Sequence, residues 1–234
     1  FITMNKNSKI LFFGRKKCSY SKKIITEIFK YSKNIKYILS GSPKDKLPKK
    51  SLLWSGDYII SFRSYFILPS ILIKKASIAA INLHPGPPQY RGIGCVNFAI
   101  LNSEKNYGTT CHLMSPNIDK GKIIDVKKFK INQKDNIDSV LKKTYSLQVH
   151  QTRMLLKKIN SNNRALNIMI ETSKKIKWSK KLYTRRQLDD LYTMNNGSTI
   201  NLTNINTYLR ATITKKFKPF IIADNKKFFL TNEK

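Results

Sequence analysis

The chain reads as an α/β protein: a Rossmann-like, mostly parallel sheet with helices on both faces, followed by a small C-terminal appendage of helices and a β-hairpin. Three observations predict it. Short apolar runs of strand length alternate with segments that place apolar residues at helical spacing, the pattern of parallel strands joined by helical crossovers. The 234 residues suit one α/β domain with a modest addition. Hydrophobic residues make up 41%, enough for a buried core and too many for wholesale disorder.

Each element follows from its own stretch. Lys9 to Phe13 is an apolar run ending at Gly14, as in a buried first strand. Ile24, Ile25, Ile28 and Phe29 predict a helix over Cys18 to Tyr31. Ile35 to Leu39 is a second strand, and Ser40 to Ser55, with its Gly, Pro and Lys, is a surface loop. Asp57 to Phe62 is a third strand, followed by a short helix around Pro69 to Lys75. Ala76 to Leu83 is a fourth strand. After it, Pro85-Gly86-Pro87-Pro88 fits neither regular helix nor central strand. It is a fixed loop at the carboxyl end of a strand, where open α/β sheets bind ligands. A helix from about Ile93 to Leu101 follows. Tyr107 to Met114 and Lys122 to Ile131 are two more strands, flanking a turn at Pro116 to Gly121. Ile137 to Ile159 has a long helical pattern. Past Asn160 the composition shifts to Asn, Ser and Lys, which divides the chain into a main domain over 1–160 and an extension over 161–234. The extension holds short helices over Arg185 to Leu191 and Asn201 to Ala211, and a hairpin from Pro219 to Leu230 turning at Asp224-Asn225.

Composition narrows the function. The formal net charge is +32, from 45 basic and 13 acidic residues. Such a charge attracts polyanions: nucleic acid, an anionic membrane or a phosphorylated substrate. Yet the Lys, Asn and Ile excess also fits an AT-rich coding sequence, and the lysines are scattered rather than clustered. The three cysteines form no paired framework, which fits a reducing cytoplasmic setting. Cys18 lies near a helix start, where a thiolate is stabilised, but no second cysteine completes a redox pair. The histidines lack zinc-site spacing, so no metal is expected. No apolar stretch is long enough for a membrane span. Phe1-Ile2-Thr3-Met4 is no signal peptide, and Met4 fits a native start. The turn after the first strand, Gly14-Arg15-Lys16-Lys17, matches neither a dinucleotide fingerprint nor a P-loop.

The informative stretch runs from Ile81 to Gly92. Residues two apart on a strand point the same way, so Asn82 and His84 share a face at the strand's end. An amide and an imidazole there can aim N–H groups at an oxygen that becomes negative, as acyl transfer requires. Asp119, in the turn Asn117-Ile118-Asp119-Lys120-Gly121, could fold back to hold the imidazole charged or to pass a proton. Taken alone, an Asn-x-His pair or an Asp-Lys-Gly turn is more often structural.

Together, Asn82-x-His84, the Pro-rich loop ending in Tyr90-Arg91-Gly92, Tyr107-Gly-Thr-Thr110 and Asp119-Lys-Gly121 resemble the folate-dependent formyltransferases. The resemblance covers roughly Lys9 to Lys158. It implies that Asn82, His84 and Asp119 are catalytic and that N10-formyltetrahydrofolate is the formyl donor. It also implies a pterin site against Phe62, Arg63, Ser64, Tyr65, Asn117, Lys120 and Gly121. The His84-Pro-Gly-Pro-Pro form, Asp57-Tyr-Ile-Ile-Ser-Phe-Arg-Ser64, Leu182-Tyr-Thr-Arg-Arg-Gln-Leu-Asp189 and Tyr208-Leu-Arg-Ala-Thr212 resemble the short sugar N-formyltransferases. The Pro-Gly-Tyr usual after the last of these is absent.

That likeness implies a nucleotide-linked amino sugar as acceptor, with dTDP-4-amino-4,6-dideoxyglucose for surface glycan (O-antigen) synthesis foremost. The expected substrate contacts are Pro85, Gly86, Tyr90, Arg91 and His112, and Arg91, Arg63 and Lys120 are candidates for the diphosphate. Trp54 and Trp178 read as packing anchors, with Trp178 the better stacking candidate because its segment is basic. Two alternatives stand beside this reading. One is an enzyme acting on initiator tRNA, a form that carries a C-terminal domain of roughly 100 residues, more than remains after Lys158. The other is a non-catalytic nucleic-acid-binding protein. The hairpin is expected to pair across a homodimer.

Overall fold

In the computed structural model, which describes residues 3–194, 205–215, 217–223 and 225–231, the apolar runs form one six-stranded sheet. Its strands are β1 (Ile10–Arg15), β2 (Ile35–Ser40), β3 (Gly56–Phe62), β4 (Ala76–His84), β6 (Asn106–Leu113) and β7 (Ile123–Lys130), in the order β2-β1-β3-β4-β6-β7. A two-residue strand, β5 (Arg91–Gly92), lies outside it. The first four strands of the sheet are parallel, and β6 and β7 turn antiparallel.

The unbroken apolar runs of β1 and β3 follow from burial on both faces. On one face Ile10, Phe12, Ile60, Ile81 and Leu83 pack beneath α1 (Ser19–Phe29) and α4 (Ile137–Ser161). On the other, Leu11, Phe13, Ile59 and Ala80 pack against Leu72 of the short α2 (Ser70–Ile73). The expected Rossmann-like α/β class is therefore observed. At the edge strand β7, Lys128 and Lys130 are exposed, a charge pattern that discourages edge pairing with another chain.

The structure refines several boundaries. The loop expected over Ser40 to Ser55 contains a 3₁₀ turn at Lys49–Leu53. Helix α3 begins at Cys95 rather than Ile93, because Gly94 takes a left-handed φ of 73°. An unexpected helix, α5 (Ala165–Thr172), continues the layer of α4, and Ala165 joins the core beside it. Further on lie β8 (Leu182–Tyr183), α6 (Arg185–Tyr192) and β9 (Thr193–Met194). The helix expected over Asn201 to Ala211 is seen as α7 (Ile205–Thr212), and its first four expected residues lie outside the described residues. The expected hairpin is formed by β10 (Phe220–Ala223) and β11 (Lys226–Phe229). Asp224 of its turn lies outside the described residues.

The residues beyond 160 are tied to the rest by buried polar contacts. Asn97 of α3 donates to the Ala211 carbonyl at 2.8 Å, and Arg210 donates to the Asp135 carbonyl at 2.7 Å. Strand β8 pairs with β5 next to the Pro-rich loop. No helix among the described residues is long and apolar enough to cross a membrane.

Ile60 sits fully buried in the central strand β3. Ile60→Ala should lower unfolding stability by about 2–5 kcal/mol, from lost transfer energy plus a cavity. Urea denaturation checks it, and a loss below about 1 kcal/mol would contradict this placement of the core.

Candidate active site

The end of β4 is held by the strand beside it. Asn82 of β4 faces His112 of β6 directly across the antiparallel pair, and His84 faces Thr110. The Tyr107-Gly-Thr-Thr110 motif then acts as a row of staples. Thr109, Tyr107 and Thr110 donate hydroxyl hydrogens to the carbonyls of His84, Pro85 and Gly86 at 3.0, 2.8 and 2.8 Å. Three consecutive carbonyls are thereby satisfied where the regular ladder stops. Gly86 is needed here, since a Cβ would lie 2.8 Å from His84 Nε2 and 2.9 Å from the Tyr90 carbonyl.

Between the two imidazoles lies the carboxylate of Asp119. Its Oδ2 is 3.3 Å from His84 Nδ1 and accepts the Gly92 amide at 3.0 Å, while Oδ1 is 3.5 Å from His112 Nε2. All three side chains are buried. Asp119 takes a φ of 47°, a conformation Asp tolerates better than most residues. Burial raises its pKa, but His84, His112 and the Gly92 amide outweigh that effect. They hold the carboxyl well below the ordinary carboxylate range.

The two histidines differ. His84 Nε2 is 2.6 Å from the Tyr90 carbonyl, so both of its nitrogens face acceptors, a carbonyl and a carboxylate. Only the imidazolium satisfies both. Burial opposes that form and pulls the His84 pKa below its ordinary value, against the pull of Asp119 and the Tyr90 carbonyl. A proton gained by this ring completes a contact and a proton lost opens one. His112 sets its Nδ1 2.7 Å from the Leu113 carbonyl, so Nδ1 carries its hydrogen. Its Nε2 lies between the Asn82 amide nitrogen at 3.1 Å and Asp119 Oδ1 at 3.5 Å: unprotonated, it accepts one Asn82 N–H and leaves the second available, and protonated, it donates to Asp119.

Asn82, His112 and Asp119 open onto a cleft of about 180 Å³. Its apolar walls include Phe66, Leu68, Ile73, Met114 and Ile118, and its polar groups include Ser61, Ser64 and Asn117. Apolar walls with a few convergent polar groups suit a flat, heteroatom-rich ring. The volume is below the roughly 300–1,000 Å³ of a drug-sized site, so the cleft takes one end of a larger molecule.

Sequence and structure part company over several candidates. Arg91, expected at a diphosphate, is buried at 3% exposure. Its Nε, Nη1 and Nη2 donate to the carbonyls of Asp119, Ser179 and Ile118 at 2.8, 2.9 and 2.9 Å. Each guanidinium nitrogen is thus engaged by a carbonyl, two of them in the Asp119 loop. Tyr90, expected beside a sugar, is likewise internal, with its ring stacked on Tyr183 and its hydroxyl donating to Glu104 at 2.9 Å. Pro85 and Gly86 offer their carbonyls to Tyr107 and Thr110, not to a ligand.

Of the residues expected at the pterin, Ser64 and Asn117 line the cleft. The Phe62 side chain belongs to the core, and Arg63 turns to Cys18 and the face of Tyr145. Tyr65 turns its ring beneath Arg15. Lys120 and Gly121 line a separate cavity with Trp178 as one wall. Gly121 is required because a Cβ would overlap the Leu113 carbonyl.

Trp178 is a packing anchor rather than a free stacking platform. It donates Nε1–H to the Gly121 carbonyl at 2.7 Å and sets its ring against His112 and His84, with centroids at 5.0 and 5.7 Å. Sequence reasoning missed this wall, because no local pattern ties Trp178 to residues some sixty or more positions earlier. It also missed Gln148, which supports the site from α4 by donating to the Leu83 carbonyl at 2.7 Å.

An amide, an imidazole and a buried carboxylate reach the cleft, while His84, expected to aim an N–H at the reacting oxygen, stands behind Asp119 with both nitrogens engaged; the arrangement suits acyl transfer. The chain belongs to the formyl transferase family, whose model matches residues 15–156, more than half of it. Among named relatives it is 35% identical over 138 residues to the bifunctional polymyxin resistance protein ArnA of Wigglesworthia glossinidia brevipalpis. That match covers 58% of this chain and 20% of ArnA. The matched stretch covers 20% of ArnA, 27% and 40% of two methionyl-tRNA formyltransferases and 42% of a GDP-perosamine N-formyltransferase, less than half of each. It shares its fold with a 4-N formyltransferase from Francisella tularensis, at TM-score 0.75 and 20% identity over 96% of this chain and 97% of that one. It shares it also with the N-formyltransferase from Helicobacter canadensis solved with folinic acid and dTDP-3-aminofucose, at TM-score 0.68 and 19% identity, covering 97% and 89% of the chains.

Because the folded-state pKa of Asp119 is depressed, its ionised form contributes stability above the unfolded carboxyl value of about 4, and that contribution is lost as pH falls through the folded value. Asp119→Asn should therefore be less stable than wild type at pH 7, by about 3 kcal/mol, with the gap narrowing below about pH 4. Denaturation of both proteins from pH 7 to pH 3 checks this, and a gap that widens toward low pH would contradict it.

Proposed function

We propose that the protein transfers a formyl group from N10-formyltetrahydrofolate to the amino group of a nucleotide-linked amino sugar. The observation that carries the reading is the set of Asn82, His112 and Asp119 on one cleft, with His84 buried behind Asp119, in a chain of the formyl transferase family. The cleft's apolar walls and its Ser64 and Asn117 groups fit a pterin. When bound, the folate supplies an activated formyl carbon on a nitrogen leaving group.

The chain's own residues do the rest. Asn82 keeps one N–H on His112 and aims the other at the formyl oxygen, where negative charge builds as the neutral amine attacks. Asp119 receives the amine proton and shares it with His84 Nδ1. The doubly protonated His84 is then satisfied by Asp119 on one side and the Tyr90 carbonyl on the other. The same path returns the proton to the departing nitrogen, so no proton is gained or lost overall. Arg91 and Trp178 keep the loop and the imidazoles in register.

The acceptor reading draws on the resemblance to short sugar N-formyltransferases and on the neighbour solved with dTDP-3-aminofucose. Within that class dTDP-4-amino-4,6-dideoxyglucose, a precursor for surface glycan, is the first acceptor to try. The formal charge of +32 favours a second reading, a methionyl-tRNA acceptor. In the same proposal, residues 1–160 carry the catalytic machinery and 161–234 support it and join two copies. Phe228 and Phe229 on β11 are exposed at the edge of the small sheet, an apolar edge that a second hairpin would cover. Light scattering at micromolar concentration should give a dimer mass, and a monomer would remove this part of the proposal.

Asn82→Ala should lower turnover about 10²–10³-fold, the loss of one oxyanion donor, with folinic acid binding within a few-fold of wild type. Turnover within threefold of wild type would sink the assigned role.

A further inference from the structure

With Arg91 engaged by three carbonyls, Arg63 and Lys120 remain of the diphosphate candidates, and the topology sets a second arginine beside Arg63. β1 leads through α1 to β2 on one side, while β3 and β4 lie on the other. The gap between the carboxyl ends of β1 and β3 is thus the sheet's switch point, where open α/β sheets form their ligand crevice. Arg15 is the last residue of β1, and Arg63 follows the last residue of β3. Arg15 Nε donates to the Arg63 carbonyl at 3.1 Å, which ties the two strand ends together.

The two guanidiniums are like charges side by side, and neither makes a salt bridge among the described residues. The groups acting on Arg15 are Arg63, Tyr65, Tyr145 and Cys18, with no carboxylate among them. Each guanidinium carbon sits over an aromatic ring, Arg15 at 3.8 Å from the Tyr65 centroid and Arg63 at 3.6 Å from that of Tyr145. A guanidinium held over a ring can still turn N–H groups to phosphate oxygens. Arg63 uses Nη1 on Cys18 Sγ at 3.1 Å. Arg63 also holds a left-handed φ of 54°, and such backbone strain gathers at binding sites. The amino end of α1 opens beside the pair with no acidic residue in its first turn, adding to the positive field.

Register relates this pair to the chemistry. Phe13, Ser61 and Asn82 lie in one row across β1, β3 and β4. Two residues further along stand Arg15 at the end of β1 and His84 at the end of β4, with Arg63 just past the end of β3 between them. Adjacent strands are about 4.8 Å apart, so Arg15 stands about 10 Å across the sheet from the strand that carries His84.

We propose that Arg15 and Arg63 form an anion site that takes the diphosphate of the acceptor while its amine reaches Asn82 and Asp119 over β3. This deepens the nucleotide-linked reading and rests on it for the identity of the ligand. The test is calorimetric binding of inorganic pyrophosphate, dTDP and folinic acid to wild type, Arg15→Gln and Arg15→Lys, with thermal melts as a fold check. Arg15→Gln should weaken pyrophosphate and dTDP tenfold or more and leave folinic acid within twofold. Arg15→Lys should recover part of the loss. Unchanged dTDP affinity in Arg15→Gln, or a wild type that binds neither phosphate compound, would overturn the site. A loss confined to folinic acid would also overturn it, giving the arginines to the folate's carboxylates. Pyrophosphate binding needs no formyl transfer, so the site and the proposed reaction fail separately.

Discussion

One buried carboxylate organises this end of the molecule. Asp119 carries its charge between two imidazoles and beneath a backbone amide, in a left-handed conformation on a loop with no regular ladder of its own. An ion so placed costs several kcal/mol in desolvation unless its partners are fixed. The protein fixes them from outside. Arg91 spends a whole guanidinium on the carbonyls around Asp119, and three hydroxyls of β6 pin the Pro-rich loop that carries the Tyr90 carbonyl to His84. The residues that surround the chemistry are mostly engaged in holding one charge in place.

The same arrangement explains why the cleft is narrow in function and wide in surroundings. Asn82, His112 and Asp119 reach it from two strands and a loop. Residues beyond 160 close the back of the site, through Trp178 against the imidazoles and Ser179 on Arg91. The site is thus not confined to the first 160 residues, although the sequence changes character there.

The sheet was legible because its code is local. Apolar runs of strand length at Leu11–Phe13 and Ile59–Ile60 and the helical spacing of Ile24 and Ile28 need no knowledge of the rest of the chain. Asn82, His84 and Asp119 could be singled out because four motifs stood in order. Their surroundings could not, because they depend on long-range contacts. Whether Arg91 meets a phosphate or three carbonyls is decided by a loop and a segment about 30 and 90 positions away. Tyr90 looks like a ligand contact in sequence and becomes internal only once Tyr183 stacks on it. Helix α5 escaped notice because it is short and follows an Asn-rich stretch, although Ala165, Leu166, Met169 and Ile170 face the core at helical spacing. Arg15 stood in a turn that matched no phosphate-binding motif. Its significance comes from the strand order, which no local pattern encodes.

The central claim is that this constellation moves a formyl group onto an amino sugar. The most direct measurement is to incubate the protein with N10-formyltetrahydrofolate carrying an isotopic label in its formyl group and dTDP-4-amino-4,6-dideoxyglucose, and to follow the label by mass spectrometry. The account predicts one labelled formyl group on the sugar amine, in proportion to tetrahydrofolate released. Label that never leaves the folate with this sugar or its 3-amino and UDP-linked counterparts, or that passes only to methionyl-tRNA, would contradict it.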